Sequence, residues 1–105
     1  MSWKITYVKE AIEDMDCIYN YISNELQSPT VAAKHISTIM SSIRNLEDMP
    51  MRHRLYEEEP WYSRGLRFFP INNYIVFYVV DELTREVAIL RIMYKGRDIK
   101  SQLDN

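Results

Sequence analysis

The chain has 105 residues, of which 47% are hydrophobic, and a formal net charge of −2, values typical of one globular domain covering residues 1–105. Its two glycines and four prolines argue against a disordered chain, and the slightly acidic balance argues against the globally basic surface of a dedicated nucleic-acid binder. The single cysteine, Cys17, excludes an internal disulfide and a cysteine-rich metal site.

No apolar run is long enough for a signal peptide or a membrane span, since the longest, residues 74–80, has the length of a strand. We therefore expect a soluble, cytoplasmic protein that contacts no membrane and needs neither a metal nor a cofactor. Cys17 is expected to be a half-buried and unreactive thiol, because Met15, Ile18 and Ile22 around it are apolar.

The first half of the chain predicts a strand and two helices. Residues 3–8 alternate with a period of two and predict a short strand. Over residues 9–26 the period changes and predicts a helix with one apolar face, formed by Ala11, Met15, Ile18, Ile22 and Leu26. Ser28 is a favourable N-cap followed by Pro29, and the second helix that begins there ends before Pro50. Its apolar face consists of Ala32, Ile36, Ile39, Ile43 and Leu46.

The second half predicts strands joined by tight turns. Residues 66–71 and 74–80 are strand-like, and Asn72-Asn73 between them suits a two-residue hairpin because asparagine tolerates a positive φ. The nearly unbroken apolar character of residues 74–80 is typical of a central strand.

Further segments complete the order of elements. Residues 81–85 turn the chain, residues 87–94 predict the last long strand, and residues 98–103 predict a short helical tail. Residues 52–58 are compatible with one more short strand. The sequence therefore predicts an α+β fold of the order β-α-α-β-β-β, with the N-terminal helical hairpin on one face of a twisted, mainly antiparallel sheet.

Particular residues in this order form a recognisable set. The set consists of Gly65-Leu66-Arg67, then Tyr74-Ile75-Val76-Phe77-Tyr78, then Val87-Ala88-Ile89-Leu90-Arg91-Ile92, and finally Tyr94-Lys95-Gly96-Arg97-Asp98-Ile99. A Gly-x-Arg strand, a tyrosine-rich strand after a hairpin and a last strand closing on an Arg-Asp pair resemble the RelE/ParE superfamily of toxins. With the helical hairpin before them, the resemblance covers nearly the whole chain.

The resemblance implies the toxin of a type II toxin–antitoxin system. A co-expressed antitoxin would keep it silent by wrapping an extended segment or a helix around it, and operator DNA would be contacted only through that antitoxin. RelE-like toxins enter the ribosome and cut mRNA, whereas ParE-like toxins inhibit DNA gyrase. The fold does not choose between them, and a toxin-like interaction module without activity is a third alternative.

The chemistry of metal-free RNA cleavage selects candidate site residues. A base takes the proton of the 2′-hydroxyl, an acid protonates the departing oxygen, and cations stabilise the charge on phosphorus. The candidate catalytic residues are Arg67, Arg97 and Tyr94, the last because the resemblance implies a late catalytic residue at the end of the last strand. The candidates for binding RNA or another target are Arg91, Lys95 and His53.

Arginine suits the cationic role because its charge is permanent and its fork is planar. We expect Arg67 and Arg91, which interrupt apolar runs, to line a concave face of the sheet. The structural alternatives are that Arg67 faces solvent or pairs with a glutamate across the sheet, and that Arg97 and Asp98 form a local salt bridge that orders the tail.

The ribonuclease pattern is incomplete in this chain. Some members end the last strand on a His-Tyr pair, where this chain has Met93-Tyr94, and others have an arginine where Tyr74-Ile75 has isoleucine. His53 is the histidine that could approach the sheet, while His35 is expected to pack beside the second helix's apolar face. Together with the acidic balance, these departures slightly favour the inhibition of gyrase.

Trp61 and Tyr62 follow three consecutive glutamates in a predicted loop. Aromatic side chains are enriched at the centres of protein interfaces. Unless they pack back onto the protein, we expect Trp61 and Tyr62 to contact a partner, the antitoxin in the first place and otherwise the target.

Overall fold

The computed structural model describes residues 2–96 and 98–104, which contain one four-stranded sheet. Its strands are β1 (Lys4–Tyr7), β2 (Arg67–Ile71), β3 (Tyr74–Asp81) and β4 (Glu86–Tyr94), arranged in the order β1-β4-β3-β2. Hairpins join β2 to β3 and β3 to β4 as antiparallel pairs, while β1 runs parallel to β4. The predicted mainly antiparallel sheet with a central β3 is confirmed.

Three helices accompany the sheet: α1 (Lys9–Glu25), α2 (Pro29–Arg44) and α3 (Ile99–Asp104). The Ser28 hydroxyl accepts a hydrogen bond from the Val31 amide at 3.2 Å, which confirms Ser28 as the N-cap of α2. None of the helices in the described part of the chain is both long and apolar enough to span a membrane.

The second helix ends earlier than the sequence predicted. Two 3₁₀ turns, Asn45–Glu47 and Pro50–Arg52, follow it. Met49, which precedes the second turn, has a φ of 49°, a left-handed conformation that interrupts helical geometry between the two turns. The helical prediction therefore ran too far because Leu46, which is fully buried, continues the apolar spacing inside a 3₁₀ turn.

The helical hairpin packs on one face of the sheet and forms the larger core. Alternate residues of the strands point to this face because successive side chains of a strand lie on opposite sides. The buried residues of this cluster include Ala11, Ile39, Ile43, Phe69, Val76, Tyr78, Val87, Ile89 and Ile92.

The other face of the sheet is covered by the segment before β2 and by α3. Its buried residues are Leu66, Phe77, Met93 and Leu103, with Tyr56, Trp61 and Phe68 packed against them. In place of the extra strand that residues 52–58 allowed, a single bridge joins Leu55 to Arg67. Both faces of the sheet are therefore substantially covered.

Two local predictions have different outcomes. Asn72 has a φ of 52° in the two-residue turn between the paired residues Ile71 and Tyr74, as its tolerance of positive φ predicts. Cys17, by contrast, is exposed, so the prediction of a half-buried thiol is wrong. It lies beside the apolar face of α1 without belonging to it.

Candidate functional site

The structure places the sequence-predicted site residues in three regions. His53 and Arg67 lie together beside β2, whereas the second group lies at the end of β4 and the third on the loop before β2. The second group is Arg91, Tyr94 and Lys95, the third is Trp61 and Tyr62, and Arg97 lies outside the described residues. β3 separates β2 from β4, and Arg67 pairs with Tyr78 of β3 whereas Tyr94 pairs with Tyr74 at its other end, so the first two groups are separated both across and along the sheet.

Arg67 is bound to the backbone that follows the helical hairpin. Its Nη1 donates to the carbonyl oxygens of Met51 at 3.1 Å and His53 at 2.6 Å. It stands opposite Tyr78, which belongs to the core beneath the helices. Arg67 thus attaches the 3₁₀ segment to β2, and it forms neither of the arrangements predicted from sequence, a free concave face or a pair with glutamate.

His53 and Tyr78 complete this region. The His53 ring stacks on Phe69 at a centroid distance of 4.5 Å, and burial, aided by the charge of Arg52, lowers the pKa of His53. The Tyr78 hydroxyl donates to the Pro50 carbonyl at 2.6 Å, and burial raises the pKa of Tyr78 to about 12. Both side chains are therefore predominantly uncharged at neutral pH.

Arg91 owes its position to a β-bulge. Tyr78 pairs with Ile89 and Phe77 with Arg91, so that Leu90 is an additional residue in β4. Such a bulge bends the strand and changes the direction of its side chains.

Arg91 binds α1 and α3 from this position. Its Nε and Nη2 donate to the two carboxylate oxygens of Asp14 at 2.8 and 3.0 Å, and its Nη1 donates to the Gln102 carbonyl at 3.2 Å. Asp14 also accepts from the Ile92 amide at 2.9 Å, beyond the point where the pairing of β1 ends at Ile89. The hydrogen bonds to Asp14 raise the pKa of Arg91, as expected for a charge-assisted fork.

A groove of about 730 Å³ separates α1 from the ends of β3 and β4. On the helical side its walls include Asp14, Cys17, Tyr21, Glu25 and His35. On the sheet side they include Asn73, Tyr74, Arg91 and Tyr94. The predicted packing position of His35 is thus a half-buried place in this wall, where its Nδ1 has no hydrogen-bond partner among the described residues.

Tyrosines dominate one end of this groove. The rings of Tyr74 and Tyr94 meet edge to face with centroids 6.1 Å apart. Burial raises the pKa of Tyr74, and the nearby hydroxyls of Tyr94 and Tyr21 add to the rise. Gly96 makes room for the Tyr94 ring, because a Cβ at Gly96 would lie 2.6 Å from the ring's Cε2.

Trp61 and Tyr62 differ in exposure although they are neighbours. Trp61 packs against the core of the second sheet face, with the Arg64 guanidinium 5.2 Å from its ring centroid. Tyr62 is 48% exposed. A partner could therefore reach Tyr62 directly, whereas Trp61 supports the loop that carries it.

Sequence reasoning missed the contribution of α1 to the groove. Asp14, Tyr21 and Glu25 were assigned to no site, yet with Cys17 they recur at steps of three and four beside the apolar face. This second stripe was the available signal. The described residues contain no group of three histidine, cysteine or acidic side chains that could hold a metal.

Comparisons with known proteins give one family and several similar folds. The model of the family described as the ParE toxin of type II toxin–antitoxin system, parDE, matches residues 5–99. No curated protein sequence matches the chain.

Among solved structures, the chromosomal ParDE toxin–antitoxin system from P. aeruginosa is similar with a TM-score of 0.72 and 22% identity, over 89% of this chain and 96% of that one. The toxin–antitoxin complex RelBE2 from Mycobacterium tuberculosis has a TM-score of 0.64 and 17% identity, over 90% and 99%. The archaeal RelE–RelB complex from Pyrococcus horikoshii has a TM-score of 0.59 and 16% identity, over 92% of this chain and 99% of that one. At these identities the likeness shows the fold alone.

Proposed function

The chain belongs to the ParE toxin family of type II toxin–antitoxin systems, and on this premise we propose that it arrests growth by binding DNA gyrase and that a cognate antitoxin holds it inactive. Binding to gyrase is thus proposed in preference to ribosome-dependent RNA cleavage.

The observation that carries this choice is the internal binding of two candidate arginines. Stabilising the charge on phosphorus requires guanidinium groups aimed at the substrate. Arg67 instead donates to two backbone carbonyls, and Arg91 forms a fork with Asp14. Presenting either one to RNA would break the hydrogen bonds of Arg67, one of them partly buried, or leave the partly buried carboxylate of Asp14 unpaired.

The sheet face away from the helical hairpin supports the same choice. Phe68, Phe77 and Met93 project from that face and pack with the preceding loop and α3. An apolar surface of this kind does not hold a phosphate, whose recognition depends on cations and N–H donors. It serves as a core that stiffens the molecule.

The exposed end of β4 is our proposed contact with the target. Tyr94 is 51% exposed, and Lys95 beside it is exposed while its amide donates to the Asn73 carbonyl at 2.9 Å. A firmly held backbone thus presents one aromatic and one cationic side chain to a protein surface. Tyr62 is proposed as an antitoxin contact, with Trp61 behind it, and operator DNA would be reached only through the antitoxin.

RelE-like cleavage of mRNA on the ribosome is the second candidate function. The exposed Tyr94 favours it, because an acid or base at the end of the last strand could reach a substrate. In that case the cationic role would fall on Lys95 or on Arg97, since Arg67 and Arg91 are bound elsewhere in the protein.

Expression without an antitoxin tests the proposed function. We expect growth arrest with gyrase-dependent DNA breaks and intact mRNA, and a reduced effect for Lys95→Ala. The matched control is Lys34→Ala on α2, another exposed lysine, which is expected to be as toxic as the wild type. New mRNA ends on ribosomes without DNA breaks would reject the proposal in favour of the nuclease, and absence of arrest would indicate an inactive module.

A further inference from the structure

The groove beside α1 presents aromatic surface that the fold itself does not bury. Tyr21 is 65% exposed and Tyr94 is 51% exposed, and both line the groove with the buried Tyr74. The rings of Tyr74 and Tyr94 meet edge to face, with 71° between their planes, so their faces point in different directions. Tyrosine rings so placed attract a cation through their negative faces.

The helical side of the groove is acidic, whereas the exposed Lys95 beside Tyr94 is not among the residues that line it. Glu25 lies one turn after Tyr21 on α1 and lines the same groove. The cation of the groove, Arg91, is already paired with Asp14, so the carboxylate of Glu25 remains uncompensated within the groove's described walls. The rest of α1 adds Glu10, Glu13 and Asp16 against one lysine, Lys9. The resulting negative potential attracts a basic segment of a partner.

The size of the groove favours a peptide over an isolated ion. Its volume of about 730 Å³ lies within the range that protein sites use for ligands larger than one side chain. A segment lying along α1 could fill the apolar part near Ile18 and Ile22 and direct a basic side chain toward the tyrosines.

We propose that this groove is a receptor for a lysine or arginine side chain of a partner peptide, with Tyr21, Tyr74 and Tyr94 around the cation and Glu25 as its counter-ion. The partner is the antitoxin if the function proposed above holds. Because Tyr94 also belongs to the proposed target contact, occupation of the groove would exclude the target, which explains neutralisation by direct competition.

Titration with small probes tests the chemistry of the groove. The probes are Nα-acetyl-arginine methylamide and its neutral counterparts made from citrulline and norleucine, added to the protein with isotope-labelled tyrosines at low ionic strength. We expect the arginine probe to shift the ring signals of Tyr21, Tyr74 and Tyr94 in a saturable manner, and the citrulline probe to bind several-fold more weakly. Equal shifts with arginine and citrulline, or stronger binding of norleucine, would overturn the cation receptor.

Variants separate the groove from general electrostatics. Glu25→Gln and Tyr21→Ala should each lower the affinity for the arginine probe by about two- to fivefold, as expected for an exposed ion pair or cation–π contact. Glu82→Gln, in the exposed turn between β3 and β4, is the control and should leave binding unchanged. Identical binding by the Glu25 and Glu82 variants would contradict the assignment. Since gyrase takes no part in this titration, its failure rejects the receptor and leaves the proposed target standing.

Discussion

Tyr78 connects the sheet to the segment after the helical hairpin. Its side chain is fully buried, and its hydroxyl donates to the Pro50 carbonyl at 2.6 Å. Tyr78→Phe removes the donor and leaves a buried acceptor, so we expect the free energy of unfolding to fall by about 1–3 kcal/mol in urea denaturation. Tyr62→Phe, at an exposed tyrosine, is the control and should change little.

The same tyrosine makes stability depend on pH in the alkaline range. Burial raises the pKa of Tyr78 to about 12, from 10.0 when unfolded, so the fold favours the neutral form. The stabilisation of the fold by neutral Tyr78 is complete below pH 10 and is lost as the pH rises through about 12. The advantage of the wild type over Tyr78→Phe should therefore shrink by roughly 1 kcal/mol between pH 8 and pH 11. A constant difference across this range would show that Tyr78 is not protected from ionisation.

Asp14 holds Arg91 in its structural position. The side chains of Arg91 and Asp14 are 21% and 16% exposed, so the pair is only partly screened by water. Asp14→Asn keeps an acceptor for the Ile92 amide but removes the charge. We therefore expect the free energy of unfolding, measured by heat or urea, to fall by about 1–3 kcal/mol. Asp16→Asn, an exposed position on the same helix, should cost much less. Equal effects of the two variants would mean that Arg91 is free for another role.

Ser28 caps the N-terminus of α2. Ser28→Ala removes the acceptor of the Val31 amide, and the free energy of unfolding should fall by about 1 kcal/mol. Ser37→Ala, at an exposed position inside α2, is the matched control and should be neutral or slightly stabilising because alanine favours helices. If both variants unfold alike, the hydrogen bond of the cap does not contribute.

Elements whose cause is local were predictable from the sequence. The period of apolar residues gave α1, Ser28-Pro29 gave the start of α2, and Asn72-Asn73 gave the hairpin, because each signal acts within a few residues. The bulge at Leu90 has no such signal: β4 contains no glycine there, and the register depends on how β3 and β1 pair with it.

Contacts between distant residues set the candidate site, and these were not predictable. Arg91 and Asp14 are 77 positions apart, so neither residue indicates the other in the sequence. The candidate residues themselves were found, yet Arg67 and Arg91 bind protein groups instead of sharing a free face. The exposure of Cys17 was also predicted wrongly, because apolar neighbours along a helix do not show where the packed face ends.

Across the molecule, the surfaces proposed for binding lie apart from one another. The groove beside α1 borders the core under the helices, whereas Tyr62 follows Trp61 on the loop that covers the other sheet face. An antitoxin that reaches both must pass around the sheet, which agrees with a wrapping partner. Once one segment of such an antitoxin is bound, the linking chain holds the other close to its own site, so the overall affinity exceeds that of either segment alone.

Purified protein added in parallel to DNA gyrase and to ribosomes carrying mRNA would decide how the toxin acts. We expect dose-dependent loss of supercoiling while the mRNA stays intact, with Lys95→Ala shifting the dose upward and Lys34→Ala leaving it unchanged. Cleavage of ribosome-bound mRNA with supercoiling unaffected would contradict the account, since it would require the chain to cut RNA while Arg67 and Arg91 remain bound within the protein.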